Sequence, residues 1–175
     1  MKLDDNLRQE YLDKHLPYRI NSMMSPDLIR FRRGTQISNE MKRKCYEDSL
    51  VLEPAFEISI VFGRSLLNFL GITYDTKVND LRRHQPKADD LTIKDIYPQG
   101  DYCPLDEQLI LDNKESLCTI IRIANKSVAH LTSTLSNQQE HERLESARLT
   151  IYNLVLKYIP DINKVEIWWH QQVPQ

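Results

Sequence analysis

Glycine is scarce in this chain: 4 residues in 175, against an average usage near 7%. Few glycines leave few positions for tight left-handed turns, which argues against a many-stranded β protein. Cysteine is scarce too. Cys45, Cys103 and Cys118 are odd in number and share no close metal-ligand spacing, which fits reduced thiols better than a disulfide framework. Long apolar runs are missing: the most apolar stretch, 58–70, is interrupted by Arg64 and Asn68 and is too short to span a bilayer. The first residues, MKLDDNLRQEY, lack the apolar core of a secretory signal, so a cytoplasmic, non-membrane protein is expected. No sign of charge dominates either. With 23 Lys and Arg against 25 Asp and Glu, the net charge of -2 gives no global attraction to nucleic acid, and any such contact must rest on a local basic patch. There is no P-loop, Gly-rich dinucleotide turn, G-x-S-x-G elbow or HExxH motif, so no cofactor is expected. His130, His141, Glu142 and Glu145 make only an incomplete ligand set, and no metal is expected.

What is present is ordinary for a soluble globular protein: 41% hydrophobic and 27% charged residues in a chain long enough for one domain with a proper core. The long periodic segments predict an all-α fold, an up-and-down bundle of about five main helices with an irregular middle segment. The expected layout is an N-terminal flap over 1–36, core helices over 38–71, an irregular connection over 72–104, a motif helix and a last long helix over 105–159, and a tail over 160–175.

Helix signals set these bounds. A first helix over 4–16 starts at Asp4 and Asp5 and is closed by Pro17, with a thin stripe of Leu3, Leu7, Tyr11 and Leu16. A short turn follows Ser25-Pro26-Asp27 and leads into the basic Arg30, Arg32 and Arg33, a solvated face or a phosphate contact. Ser38-Asn39-Glu40 opens another helix, and Pro54 is expected to break it. The central helix, 55–70, is apolar on most sides and capped by Gly71. Its exceptions, Glu57, Arg64 and Asn68, lie within about 40° of one another around the helix axis. They are either a salt-linked or exposed seam, or one wall of a cleft facing the motif helix. The basic Arg82, Arg83, His84 and Lys87 fall in the irregular connection, where solvent is the default partner. The last helix, 137–158, carries two apolar faces, one of them available to a second subunit. In the tail, Trp168 and Trp169 either cover a groove of this chain or dock on a partner.

The stretch 113–135, NKESLCTIIRIANKSVAHLTSTL, is the best amphipathic helix. At roughly 100° per residue, Leu117, Ile120, Ile121, Ala124, Val128, Leu131 and Leu135 share an arc about 100° wide, which is a core face. Arg122, Asn125, Lys126 and Ser133 lie opposite, and His130 sits at the boundary beside Ile123.

The segment RIANKSVAH, 122–130, placed late in an amphipathic helix and followed by one more long helix, resembles the motif region of the HEPN family of α-helical domains. The family motif is an Arg, commonly followed by a polar residue such as Asn, then a His. Here Asn125, Lys126 and His130 match its second half. Seven residues separate Arg122 from His130, a longer spacing than the family's, and Ala124 stands where the family has its Arg. The resemblance implies a dimerising helical bundle and a metal-independent ribonuclease. Arg122, Asn125 and His130 would be catalytic, with His130 moving a proton at the ribose 2′-hydroxyl. Lys126, Arg64 and Glu57 would contact substrate, with RNA as ligand and a homodimer as the assembly. A different class stands beside it: a non-enzymatic helical module for a protein partner or a small ligand, in which the polar face of the motif helix meets water.

Overall fold

The computed structural model describes residues 3–36, 48–127 and 138–164, and they form a mainly α-helical protein. The Trp168-Trp169 tail, His130 and Cys45 lie outside the described residues.

The first helical run does not stop at Pro17. α1, Asp5–Glu10, begins under Asp4, whose Oδ1 accepts the Leu7 N–H at 2.8 Å. A π-turn, Tyr11–His15, then passes directly into α2, Leu16–Gln36. In that wide turn the Leu16 N–H donates to the Tyr11 carbonyl, five residues back. Pro17 comes next, and a wide turn accommodates a residue that lacks an N–H and crowds the i−4 carbonyl. Pro26 also sits inside α2. The run continues because its apolar series continues: Leu12, Leu16, Ile20, Met23 and Met24 are all buried. This segment is therefore a core element rather than the expected flap, and burial of five large side chains, at roughly 1.5–3 kcal/mol each, outweighs what the prolines cost.

α3, Asp48–Phe69, packs along α2 and includes Pro54, so the expected break at that residue is not observed. Tertiary burial again decides, since Ile60, Leu66, Leu67 and Leu70 are almost wholly inaccessible. The helix ends at Gly71, whose φ of +86° is a left-handed cap; Tyr102 lies against it, with its Cβ only 2.7 Å from where a Gly71 side chain would begin.

The middle segment holds the main departure from an all-helical bundle. β1, Ile72–Asp75, pairs antiparallel with β2, Asp80–Arg83, in the register Ile72 with Arg83 and Tyr74 with Leu81. Asn79 supplies the left-handed turn residue with φ +56°, and the Tyr74 hydroxyl hydrogen-bonds its side chain. Arg83 donates to the carbonyls of Gly71 at 3.2 Å and Cys103 at 2.8 Å. It ties the hairpin to the chain beyond and is not the solvated charge expected from the sequence. A short α4, Ile93–Ile96, follows, with Asp95 accepting from both the backbone and the hydroxyl of Thr92.

After α5, Gln108–Asp112, the motif helix α6, Lys114–Ser127, and the long α7, Gln138–Tyr158, lie antiparallel. Three pairs record the register: Asn113 with Ser146 at 3.0 Å, Glu115 with Arg143 at 2.8 Å, and Arg122 with Glu140 at 2.7 Å. α3 contacts both helices, and Leu117, Ile120, Ile121, Ile151, Leu154 and Val155 complete a single core with it. Gly63 lets α3 approach: a Cβ there would stand 2.5 Å from the Ile120 Cδ1. Among the described residues, no helix is long and apolar enough to cross a membrane.

Candidate functional site

The core face of α6 is as the periodicity predicts, with Leu117, Ile120, Ile121 and Ala124 buried. Its polar face divides. Asn125 and Lys126 are exposed, whereas Arg122 is half-buried and its Nη2 donates to Glu140 Oε1 at 2.7 Å. That ion pair closes α6 onto α7 and occupies the guanidinium that the sequence reading had given to a phosphate. Glu57 is exposed on α3 and pairs with nothing among the described residues.

Arg64 and Asn68 behave differently. Both line a cleft of about 510 Å³, within the range that holds a small ligand. One wall is α2, contributing Arg19; a second is α3, contributing Arg64, Ser65 and Asn68. The third is the loop 84–91, contributing His84, Asp89 and Asp90. Ala124, a core-face residue, is the contribution of α6 among the described residues, so the seam does not face the polar Arg122, Asn125 and Lys126 across this cleft, and His130 lies outside the described residues. Arg122, Asn125, Lys126 and Glu57 do not line the cleft.

The charges in the cleft are unevenly satisfied. Arg19 Nη1 donates to the His15 carbonyl at 3.0 Å, in the π-turn before α2, and neither Arg19 nor Arg64 has a carboxylate partner among the described residues. The Asn68 side-chain oxygen is buried without a hydrogen-bond partner. A buried amide normally finds one, so this group marks a place where the protein alone leaves hydrogen bonding incomplete. Across the cleft, Asp90 accepts the Lys87 N–H at 2.8 Å and faces His84 Nε2 at 3.3 Å. The Lys87 N–H holds its carboxyl below the usual range, and His84 adds to this. Asp89 is exposed and has no partner among the described residues.

Sequence reasoning missed Arg19 and Asp89, which lie far apart in the chain, and assigned His84 to solvent, whereas its ring is 15% exposed and faces Asp90. It also passed over Arg148, whose Nε and Nη2 donate to the two Asp27 oxygens at 2.7 Å each while its side chain is 1% exposed. Phe56 lies over that guanidinium at 5.6 Å and stacks on His141 at 4.9 Å. Cys103 is buried, and burial pushes its thiol up to about 11, so it stays protonated and unreactive at neutral pH. Burial likewise raises Cys118. Among the described residues there is no group of three or more His, Cys, Asp or Glu placed to hold a metal ion. No protein family, curated protein or solved structure matches the chain.

Proposed function

We propose that this protein is a cytoplasmic, HEPN-like helical module that binds RNA through its phosphates in the cleft of Arg19, Arg64 and Asn68, without cleaving it. The observation that carries the reading is the pair of arginines in one cleft that lack carboxylate partners among the described residues. Arginine forks suit phosphate oxygens, and the Asn68 Oδ1, an acceptor, would take a hydroxyl or amine hydrogen of the same nucleotide rather than a phosphate oxygen. Ala124, which stands where the family resemblance asks for an Arg, reaches the same cleft, so Arg64 and Arg19 return a cation to that end of the motif helix from neighbouring elements. The non-cleaving half of the reading rests on Arg122, held by Glu140 at 2.7 Å instead of being free for a developing negative charge.

The up-and-down bundle and the homodimer belong to the same proposal. Tyr18, Ile58 and Val61 are exposed apolar side chains on adjoining faces of α2 and α3, and Tyr18 packs edge-on against Phe62 at 5.6 Å. Val61 also lines the cleft, so two copies meeting there set two clefts side by side along one strand.

The test is binding of a short single-stranded RNA at several salt concentrations, with a cleavage readout in EDTA. Native protein retains the RNA intact, Arg19→Ala with Arg64→Ala weakens binding about tenfold or more and flattens the salt slope, and Arg122→Ala changes affinity less than about twofold. Loss of binding in Arg122→Ala alone moves the site to the polar face of α6. RNA cut in EDTA, and spared by His130→Ala, replaces the binding reading with a metal-independent ribonuclease.

A further inference from the structure

The cleft is divided by charge. Arg19 and Arg64 stand on the helical side, while Asp89 stands on the loop 84–91, and none of the three forms an ion pair with another. Oppositely charged groups in one small cleft gain by closing on each other unless the backbone holds them apart. Here the loop is anchored. The His84 N–H donates to the Gly71 carbonyl at 2.9 Å, the Asp90 N–H donates to the Lys87 carbonyl at 3.1 Å, and Asp90 returns a bond to the Lys87 N–H. Asp90 is thereby occupied, and on this loop Asp89 is the carboxylate left without a partner among the described residues. The lining also includes the apolar Leu16, Phe69 and Leu91.

A ligand matching this arrangement carries an anion at one end, a flat apolar body, and a hydrogen-bond donor at the other. A volume of about 510 Å³ suits a unit the size of a single nucleotide and is generous for an amino acid. Resting on the phosphate-binding reading above, we propose that the cleft selects nucleotides whose base carries an exocyclic amine. The phosphate lies on Arg19 and Arg64, the base lies against the apolar part of the lining, and the amine donates to Asp89. A carboxylate accepts such an N–H and repels the carbonyl that uracil presents at the equivalent edge of cytosine. Asp89 is then a specificity residue and the arginines are affinity residues.

Calorimetric titration of the full chain with CMP, AMP, UMP and inorganic phosphate tests this. CMP and AMP bind about tenfold or more tightly than UMP, a discrimination of the size that one good base-edge contact supplies. Asp89→Ala brings the three nucleotides to one level, with CMP and AMP weakened and UMP tightened by the loss of the carboxylate that repels its carbonyl. Because Asp89 is exposed and unpartnered among the described residues, the variant keeps the native fold, which circular dichroism and a melting curve check. Equal binding of all three nucleotides, unaltered in Asp89→Ala, overturns the amine selection while leaving the phosphate site standing. Absence of binding by nucleotides and phosphate alike overturns both. Cytidine binding as tightly as CMP removes the phosphate from the account and so also overturns the divided cleft.

Discussion

Arg148 and Arg64 place the same guanidinium in opposite circumstances. Arg148, on α7, is 1% exposed, forks onto both oxygens of Asp27 on α2 and lies under Phe56 of α3. Arg64, on α3, is exposed at the rim of a cleft and meets no carboxylate among the described residues. The first has Nε and Nη2 taken up by Asp27, with Nη1 buried and unpartnered, and joins three helices; the second meets no carboxylate among the described residues. Charge therefore serves cohesion at Arg148 and, on the proposed reading, recognition at Arg64, and burial separates the two uses.

The largest effect expected from breaking that contrast is at Arg148. Arg148→Ala strands the Asp27 carboxylate in a partly buried site and destabilises the protein by about 3–5 kcal/mol in urea unfolding. The double change Asp27→Leu with Arg148→Met recovers most of that loss, because an apolar pair of similar size removes the desolvation penalty along with the attraction. A single-variant loss under about 1 kcal/mol would mean that the fork adds little to cohesion and that the two arginines do not differ in kind.

Between the extremes stands Arg122, with 34% of its side chain exposed and Glu140 beside it. Arg122→Ala costs about 0.2–1 kcal/mol by the same measurement, the range for a solvent-screened pair. Smaller again is Arg64→Ala, within about 0.5 kcal/mol of the native protein, since no intramolecular ion pair is lost. If Arg64→Ala unfolds the chain as Arg148→Ala does, Arg64 is structural and the cleft loses its principal cation.

Much of this fold is legible from residue spacing. The arc of Leu117, Ile120, Ile121 and Ala124 is buried as its period predicts, and the reduced glycine content rightly points to helices. Prolines misled because their local cost was weighed without the burial that offsets it: Pro17, Pro26 and Pro54 all lie within helical runs. The hairpin was hidden by its turn, where Asn79 does the work usually assigned to glycine. Arg148 was legible and missed. At roughly 100° per residue it falls about 20° beyond the arc of Leu144, Ala147, Ile151 and Val155, between Val155 and Tyr152, both of which are buried, so the helical wheel already places it beside the core, and only its charge argued otherwise. No comparable signal foretold the cleft: Arg19, Arg64, His84 and Asp89 converge through tertiary packing, and no local pattern joins them. The Arg64–Asn68 seam was readable as polar residues on an apolar helix, but Glu57, which the same line included, stays outside the cleft.

The smallest effect sharpens the contrast between interior and surface charge through pH and salt. Glu107 receives Lys157 Nζ at 2.8 Å on each oxygen and the Tyr158 hydroxyl at 2.6 Å. The Lys157 hydrogen bond, followed by that of Tyr158, holds its carboxyl below the ordinary range, and burial pushes the Tyr158 phenol up. A carboxyl depressed in the folded state binds fewer protons there than in the unfolded chain, where a Glu titrates near about 4.3. Its contribution is complete above that value and is lost as pH falls through the lower, folded one. Glu107→Gln therefore unfolds more readily than the native protein at pH 7, and the two curves converge in acid. Raising the ionic strength to about 1 M, where the Debye length is roughly 3 Å, shrinks the Glu107→Gln deficit at pH 7 because Lys157 is 55% exposed. The Arg148→Ala deficit stays, since its ion pair lies where salt does not reach. Equal salt sensitivity of the two variants would show that depth does not distinguish them.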